Sequence, residues 1–137
     1  ILTATEEFVR YVSPITTITR TCPHGATVAD VEIPAGERVG LCWPSANRDE
    51  TVFDRPAEIV LDRSPNPHIG FGFGAHACLG SQHARLLLRS LLESLCKRVE
   101  RIELIDAVPR MEEESSYCRQ TGYESATVRL IPKPSPT

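Results

Sequence analysis

Apolar and polar positions along the chain change period several times, and each change marks an element. Residues 1–11 read as the tail of an amphipathic helix with Leu2, Phe8 and Val9 as its apolar positions, stopped by Pro14. From Ile15 to Cys42 the pattern turns to strands. Ile15–Thr19 is β-branched throughout, residues 28–33 partly alternate, and Arg38–Cys42 returns as a short strand after the Pro34-Ala35-Gly36 turn signal. This stretch predicts a small antiparallel sheet. Residues 45–50 predict a short helix. Residues 54–67 carry Pro56, Pro65 and Pro67 with little periodicity and predict an ordered, irregular excursion.

The strongest helical signal lies at Ala84–Val99. Leu87, Leu88, Leu91, Leu92, Leu95 and Val99 form a continuous apolar face, with Arg85, Arg89, Glu93 and Lys97 largely off it. Glu93 and Lys97 stand at the favourable i,i+4 spacing. Residues 102–130 predict short strands and turns, followed by a proline-rich tail at 132–136. The expected class is α+β: helix, small sheet, irregular meander, long helix, terminal β hairpins.

Composition narrows the function classes. With 137 residues, 15 Lys+Arg against 18 Asp+Glu and a net charge of −3, nothing favours nucleic acid as a partner. No apolar run approaches the ~20 residues needed to span a bilayer. The five cysteines, Cys22, Cys42, Cys78, Cys96 and Cys118, are odd in number and contain no CxxC pair, which predicts reduced, mostly buried thiols, four of the five, and a cytoplasmic setting.

Chemistry concentrates in Phe71-Gly72-Phe73-Gly74-Ala75-His76-Ala77-Cys78-Leu79-Gly80, immediately before the strong helix. A cysteine at a helix start faces unpaired N–H groups and the positive end of the helix dipole. Both favour a thiolate, a ready metal ligand. Gly72, Gly74 and Gly80 allow tight turns and close approach of a flat partner. His76 can offer a hydrogen bond or charge to an acidic group, and Phe71 and Phe73 can shield the sulfur. Residues 70–75 also fit a G-x-G-x-x-G/A fingerprint, but Pro65 and Pro67 stand where the preceding strand belongs. A zinc site from His68, His76, Cys78 and His83 has no familiar spacing. A Cys78–His76 nucleophile pair has an awkward two-residue separation.

Phe71-x-x-Gly74-x-His76-x-Cys78-x-Gly80 resembles the haem-binding signature of the cytochrome P-450 family, the haem-thiolate monooxygenases, and most closely its soluble bacterial type. Glu7-Phe8-Val9-Arg10 resembles the family's E-x-x-R helix. Residues 45–49 resemble the stretch after its small sheet, and residues 64–68 the end of its meander. The resemblance takes in nearly the whole chain, 1–137, as a single haem-thiolate segment corresponding to the last third of the family fold. The long central helix with its acid–alcohol pair lies outside that portion.

The resemblance implies haem b as cofactor and Cys78 as the axial ligand of its iron, with Arg20 and His76 on the propionates. Phe71 would pack beside the sulfur, with Gly72, Gly74 and Gly80 shaping the loop. Glu7 and Arg10 would be structural. The stretch Ile15–Thr19, with Ile15, Thr16 and Thr17 foremost, and the turn near 117–122 would border a pocket for a small organic substrate. Electrons would come from a redox partner of ferredoxin type, with Arg85 and Arg89 as docking candidates. The family's E-x-x-R pair often gains a meander arginine. The corresponding place here holds Glu58, with Arg55 and Arg63 as substitutes. The implied activity is oxygen insertion. The alternatives are a shortened haem protein with peroxide-driven or electron-transfer chemistry, and a non-catalytic relic. The leucine face predicts a complementary chain or self-association.

Overall fold

In the computed structural model, which describes residues 1–114 and 117–134, the chain opens with helix α1 (Leu2–Val12). Its end is set by Ser13, which adopts a left-handed φ of 42° while its N–H bonds Val9 O. The Ser13 hydroxyl donates to Arg10 O at 2.8 Å, so two terminal carbonyls are satisfied before Pro14 forbids another turn. The face α1 buries is not the apolar one that the sequence pattern predicts. Leu2 is exposed, and the buried residues are Thr5, Glu7, Val9 and Arg10.

Strand β1 (Thr17–Thr21) pairs antiparallel with β4 (Arg38–Cys42), and β2 (Ala26–Val28) with β3 (Val31–Ile33). The expected single sheet is therefore two two-stranded sheets. The stretch 28–33 is interrupted because Ala29 and Asp30 take positive φ values of 47° and 66°, as a two-residue primed hairpin turn requires. Cys22 and the 36–37 pair close the base of that hairpin through Cys22 N–H to Glu37 O and Gly36 N–H to Cys22 O. A short helix α2 (Trp43–Ala46) follows β4 directly.

The meander after α2 has no ladder of its own and is instead held by side chains. Among the described residues the buried apolar ones are Val9 and Phe53. The rest of this core is polar: Glu7, Arg10, Ser13, Asn47 and Arg63. Phe53 lies beneath two guanidinium groups, Arg10 at 5.3 Å and Arg63 at 5.8 Å from its ring centre. The ring thereby offers a negative π-face to both cations.

A single 3₁₀ turn (Gly74–His76) precedes helix α3 (Ser81–Arg98). α3 starts three residues before the predicted Ala84 because Ser81 N–H bonds Cys78 O and Ala84 N–H bonds Gly80 O. Leu86, Leu87 and Leu91 on it are exposed.

The terminal region is one long hairpin in place of several. Strands β5 (Val99–Glu114) and β6 (Tyr117–Pro132) pair antiparallel with four register irregularities. Each irregularity breaks the alternation that sequence reading relies on. Pro109, opposite Tyr123, sits inside β5, and a two-stranded ribbon tolerates it because both strands are edges. Residues 117–122, expected as a turn, are strand, and Gly122 with φ 151° marks a bulge. Lys133 N–H bonds Arg98 O, and its ammonium bonds Cys96 O at 2.7 Å. The predicted tail lies partly outside the described residues. The chain forms two compact units, Ile1–Ser90 and Leu91–Thr137. The cysteines are not buried as expected: Cys42, Cys78, Cys96 and Cys118 are exposed and Cys22 is half-buried.

Candidate functional site

Glu7 and Arg10 lie one helical turn apart on α1, both fully buried, and grip each other through two bonds of 2.8 Å. Arg10 spends every remaining N–H on a backbone carbonyl, reaching Asn47 O, Pro56 O and Glu58 O at 2.8–2.9 Å. A guanidinium has five donors in a fixed fork, and here all five are used. Glu7 in turn accepts from Val60 N–H at 2.8 Å, Arg63 Nε at 3.0 Å and Asn66 Nδ2 at 3.1 Å. Burial pushes the Glu7 carboxyl up, but Arg10, the Val60 N–H and Arg63 together outweigh it and hold it down at about 2.

Arg63 is thus the meander arginine. Glu58 contributes its backbone carbonyl, while its exposed carboxylate meets Arg55 at 3.3 Å. Asn47, fully buried, extends the network to the cysteine loop. It donates to the Ser13 hydroxyl at 2.9 Å and accepts from Ile69 N–H at 2.8 Å.

From Ile69 the backbone folds into a closed loop. Gly72 N–H bonds Ile69 O at 2.8 Å, Ala77 N–H bonds Gly74 O at 3.1 Å, and Cys78 N–H returns to Phe71 O at 2.7 Å. Gly72 and Gly74 hold φ of 73° and 71°, a region that costs residues with a Cβ on the order of 1 kcal/mol. Gly70 is required for a different reason. A Cβ there would come within 2.9 Å of Val9 Cγ1 and 3.1 Å of Val9 O, so the loop lies directly on α1.

The loop borders a cavity of about 700 Å³, within the usual range for a small-molecule site. Its wall combines the Cys78 thiol and two basic side chains, Arg20 and His76, with an apolar surround that includes Val9, Ile15, Ile18, Leu41, Trp43, Phe71 and Leu88. Of the loop and pocket residues singled out by sequence, the cavity brings together Ile15, Ile18, Arg20, Phe71, Gly72, Phe73, His76 and Cys78. Gly74 and Gly80 lie outside the lining, although a Cβ on Gly80 would sit 3.9 Å from the Cys78 sulfur. Thr16 and Thr17 also lie outside it. Thr16 O accepts the Trp43 N–H, and Thr17 pairs with Cys42. Side chains alternate across a strand, so Ile18 and Arg20 share one face of β1 and Thr17 takes the other. Arg20 lies within β1, not after it.

Leu41 and Trp43 were not legible as lining residues, although the register Ile18↔Leu41 puts Leu41 beside a predicted one. Arg85 is engaged within the fold and not a free docking cation. Its guanidinium grips Glu6 at 2.8–3.0 Å and lies 4.6 Å from the Phe71 ring centre. Among the described residues no cluster of three or more His, Cys, Asp or Glu side chains could hold a metal ion, which removes the zinc alternative there.

The donor set fits a haem. One sulfur suits the iron, an arginine and a histidine suit two carboxylates, and apolar walls suit the ring. In the same loop, Leu79 and Phe73 are 101% and 85% exposed, leaving apolar surface for something to cover.

The profile of the family described as Cytochrome P450 matches residues 3–121. A steroid C26-monooxygenase of Mycolicibacterium smegmatis is 42% identical over 129 residues, covering 94% of this chain and 32% of the relative. A linalool 8-monooxygenase of Pseudomonas putida is 37% identical over 131 residues, covering 96% and 31%. The solved structure of a carbohydrate active P450 superposes with a TM-score of 0.90 at 41% identity, over 96% of this chain and 36% of that one. The chain spans about a third of the length of the relatives it matches.

Proposed function

The chain belongs to the cytochrome P450 family, and from that premise we propose that it is the haem-ligating portion of a monooxygenase that inserts oxygen into an apolar organic molecule. The observation that carries this reading is the convergence of the Cys78 thiol, Arg20 and His76 on one apolar cavity. Cys78 would hold the iron through its sulfur. Arg20 and His76 would hold the two propionates and so orient the ring. Gly72 would let the backbone come close, and Phe71 would pack beside the sulfur, which is itself exposed. When bound, the haem supplies dioxygen activation, which an electron-donating thiolate favours. Electrons arrive from a redox partner of ferredoxin type. Ile15 and Ile18 border the substrate side, and apolar lining together with relatives named for steroid and linalool oxidation supports an apolar substrate. A complementary chain or second copy covers the exposed leucines Leu86 and Leu87.

The test is an absorption spectrum of the chain titrated with haem, reduced and exposed to carbon monoxide. The strongly red-shifted Soret band of thiolate ligation is expected. A band typical of histidine ligation, or no haem uptake, overturns the assignment of Cys78.

A further inference from the structure

We infer that Glu6, His68 and Arg85 form a clamp that positions the cysteine loop through Phe71, separate from the Glu7–Arg10–Arg63 network. Arg85 Nε reaches both Glu6 oxygens, at 2.8 and 3.0 Å, and Nη2 adds a bond of 2.9 Å. The same guanidinium lies 4.6 Å from the Phe71 ring centre. His68 flanks the ring from a second direction, its centroid 6.1 Å away and tilted by 52°. Phe71 is thus bracketed by a cation and an imidazole, both tied to one carboxylate.

The imidazole's tautomer follows from its partners. Gly70 N–H donates to His68 Nδ1 at 3.2 Å, so that nitrogen carries the lone pair. The proton therefore sits on Nε2, which faces Glu6 Oε2 at 3.0 Å. Both ring nitrogens are used, one holding the backbone that enters the loop and the other anchored on α1. The His68 side chain is 3% exposed, so these bonds have little competition from water.

What the clamp controls is the acceptor of the loop's closing bond. Phe71 O receives the Cys78 N–H at 2.7 Å. Fixing the Phe71 ring fixes its backbone, and fixing that carbonyl sets where Cys78 is presented. Arg85, Glu6 and His68 are therefore positioning residues. They act on Cys78 only through Phe71 and Gly70. Cys78's role as ligand rests on the reading above, but the clamp itself is a statement about loop order and is measured without haem.

The experiment is amide hydrogen exchange on the haem-free chain, comparing residues 72–78 with the meander 54–66. Arg85→Ala and Phe71→Leu should each speed exchange at 72–78 about tenfold, the factor implied by losing one partly desolvated cation–aromatic contact, with the meander unchanged. Glu6→Gln combined with Arg85→Ala should be no worse than Arg85→Ala alone, because the two act as one unit. Arg85→Lys keeps a charge for Glu6 but lacks the planar fork, and should recover only part of the protection. Unchanged exchange at 72–78, an equal rise in the meander, or additive effects in the double variant would each overturn the clamp. None of these depends on whether haem binds, and a histidine-type spectrum with the clamp results intact would fault only the ligand assignment.

Discussion

Arg63 Nε and Glu7 Oε2 lie 3.0 Å apart across 56 residues of sequence, both side chains almost wholly excluded from solvent. Of the charged side chains in the meander it is Arg63, not Glu58, that pairs with α1; Glu58 reaches α1 only through its backbone carbonyl. Arg63→Ala should therefore cost about 1.5–3 kcal/mol, the usual loss for a hydrogen bond to a charged group, since Arg10 still pairs with Glu7. Glu58→Ala should cost under about 0.5 kcal/mol, because only the backbone carbonyl of Glu58 serves Arg10. Urea unfolding of the two variants checks this, and equal losses would reject the assignment.

Acid should unfold the chain through Glu7. Its carboxyl titrates at about 2 when folded, against an ordinary 4.5. Since the folded value is the lower one, the stabilisation is fully present above pH 4.5 and is lost as pH falls toward 2. The difference is worth on the order of 3 kcal/mol. Glu6, also lowered, adds in the same direction: burial raises it, and Arg85 and His68 more than compensate. The urea midpoint should stay level from pH 7 to 5 and fall steeply below. A decline beginning above pH 6 would implicate histidines instead.

Gly70 and Gly74 should fail for different reasons. Gly70→Ala forces a methyl against Val9 on α1 and should cost about 1–3 kcal/mol, as overpacking does. Gly74 has open space around a Cβ position but a φ of 71°, so the cost there is conformational. Gly74→Asn should be milder than Gly74→Val, since asparagine tolerates the left-handed region better than a β-branched residue. Thermal melts of the three variants distinguish the two mechanisms.

Haem uptake should separate ligation from orientation. Cys78→Ala should abolish the thiolate spectrum, whereas Cys22→Ala, Cys42→Ala and Cys118→Ala should spare it. Arg20→Ala and His76→Ala should each weaken haem affinity about tenfold while leaving the band position unchanged, because the contacts proposed for them are to carboxylates and not to iron. Titration followed by the Soret band measures both.

Local patterning carried a good part of this architecture. Arg38–Cys42 was legible to the residue, and α1 and α3 within a few positions, because proline, glycine and period mark their ends. The β2–β3 turn was hidden because Ala29 gives no hint that it adopts positive φ. The β5–β6 hairpin was hidden because its bulges scramble alternation and Pro109 and Gly122 imitate loop signals. At the site, Cys78, His76 and Phe71 stand in one contiguous motif and could be named together. Arg63, Asn47 and the Glu6–Arg85 contact join residues 22 to 79 positions apart, a separation at which neither period nor propensity carries information.

Glu6 and Glu7 are consecutive, yet one serves Arg85 and His68 while the other serves Arg10 and Arg63. About 100° of helical rotation separates neighbouring side chains, so a single peptide bond dictates the angle at which two wiring systems leave the same axle. Slipping one extra amino acid between these carboxylates would swing one set of connections about a quarter-turn out of alignment while leaving every other residue of the chain chemically intact.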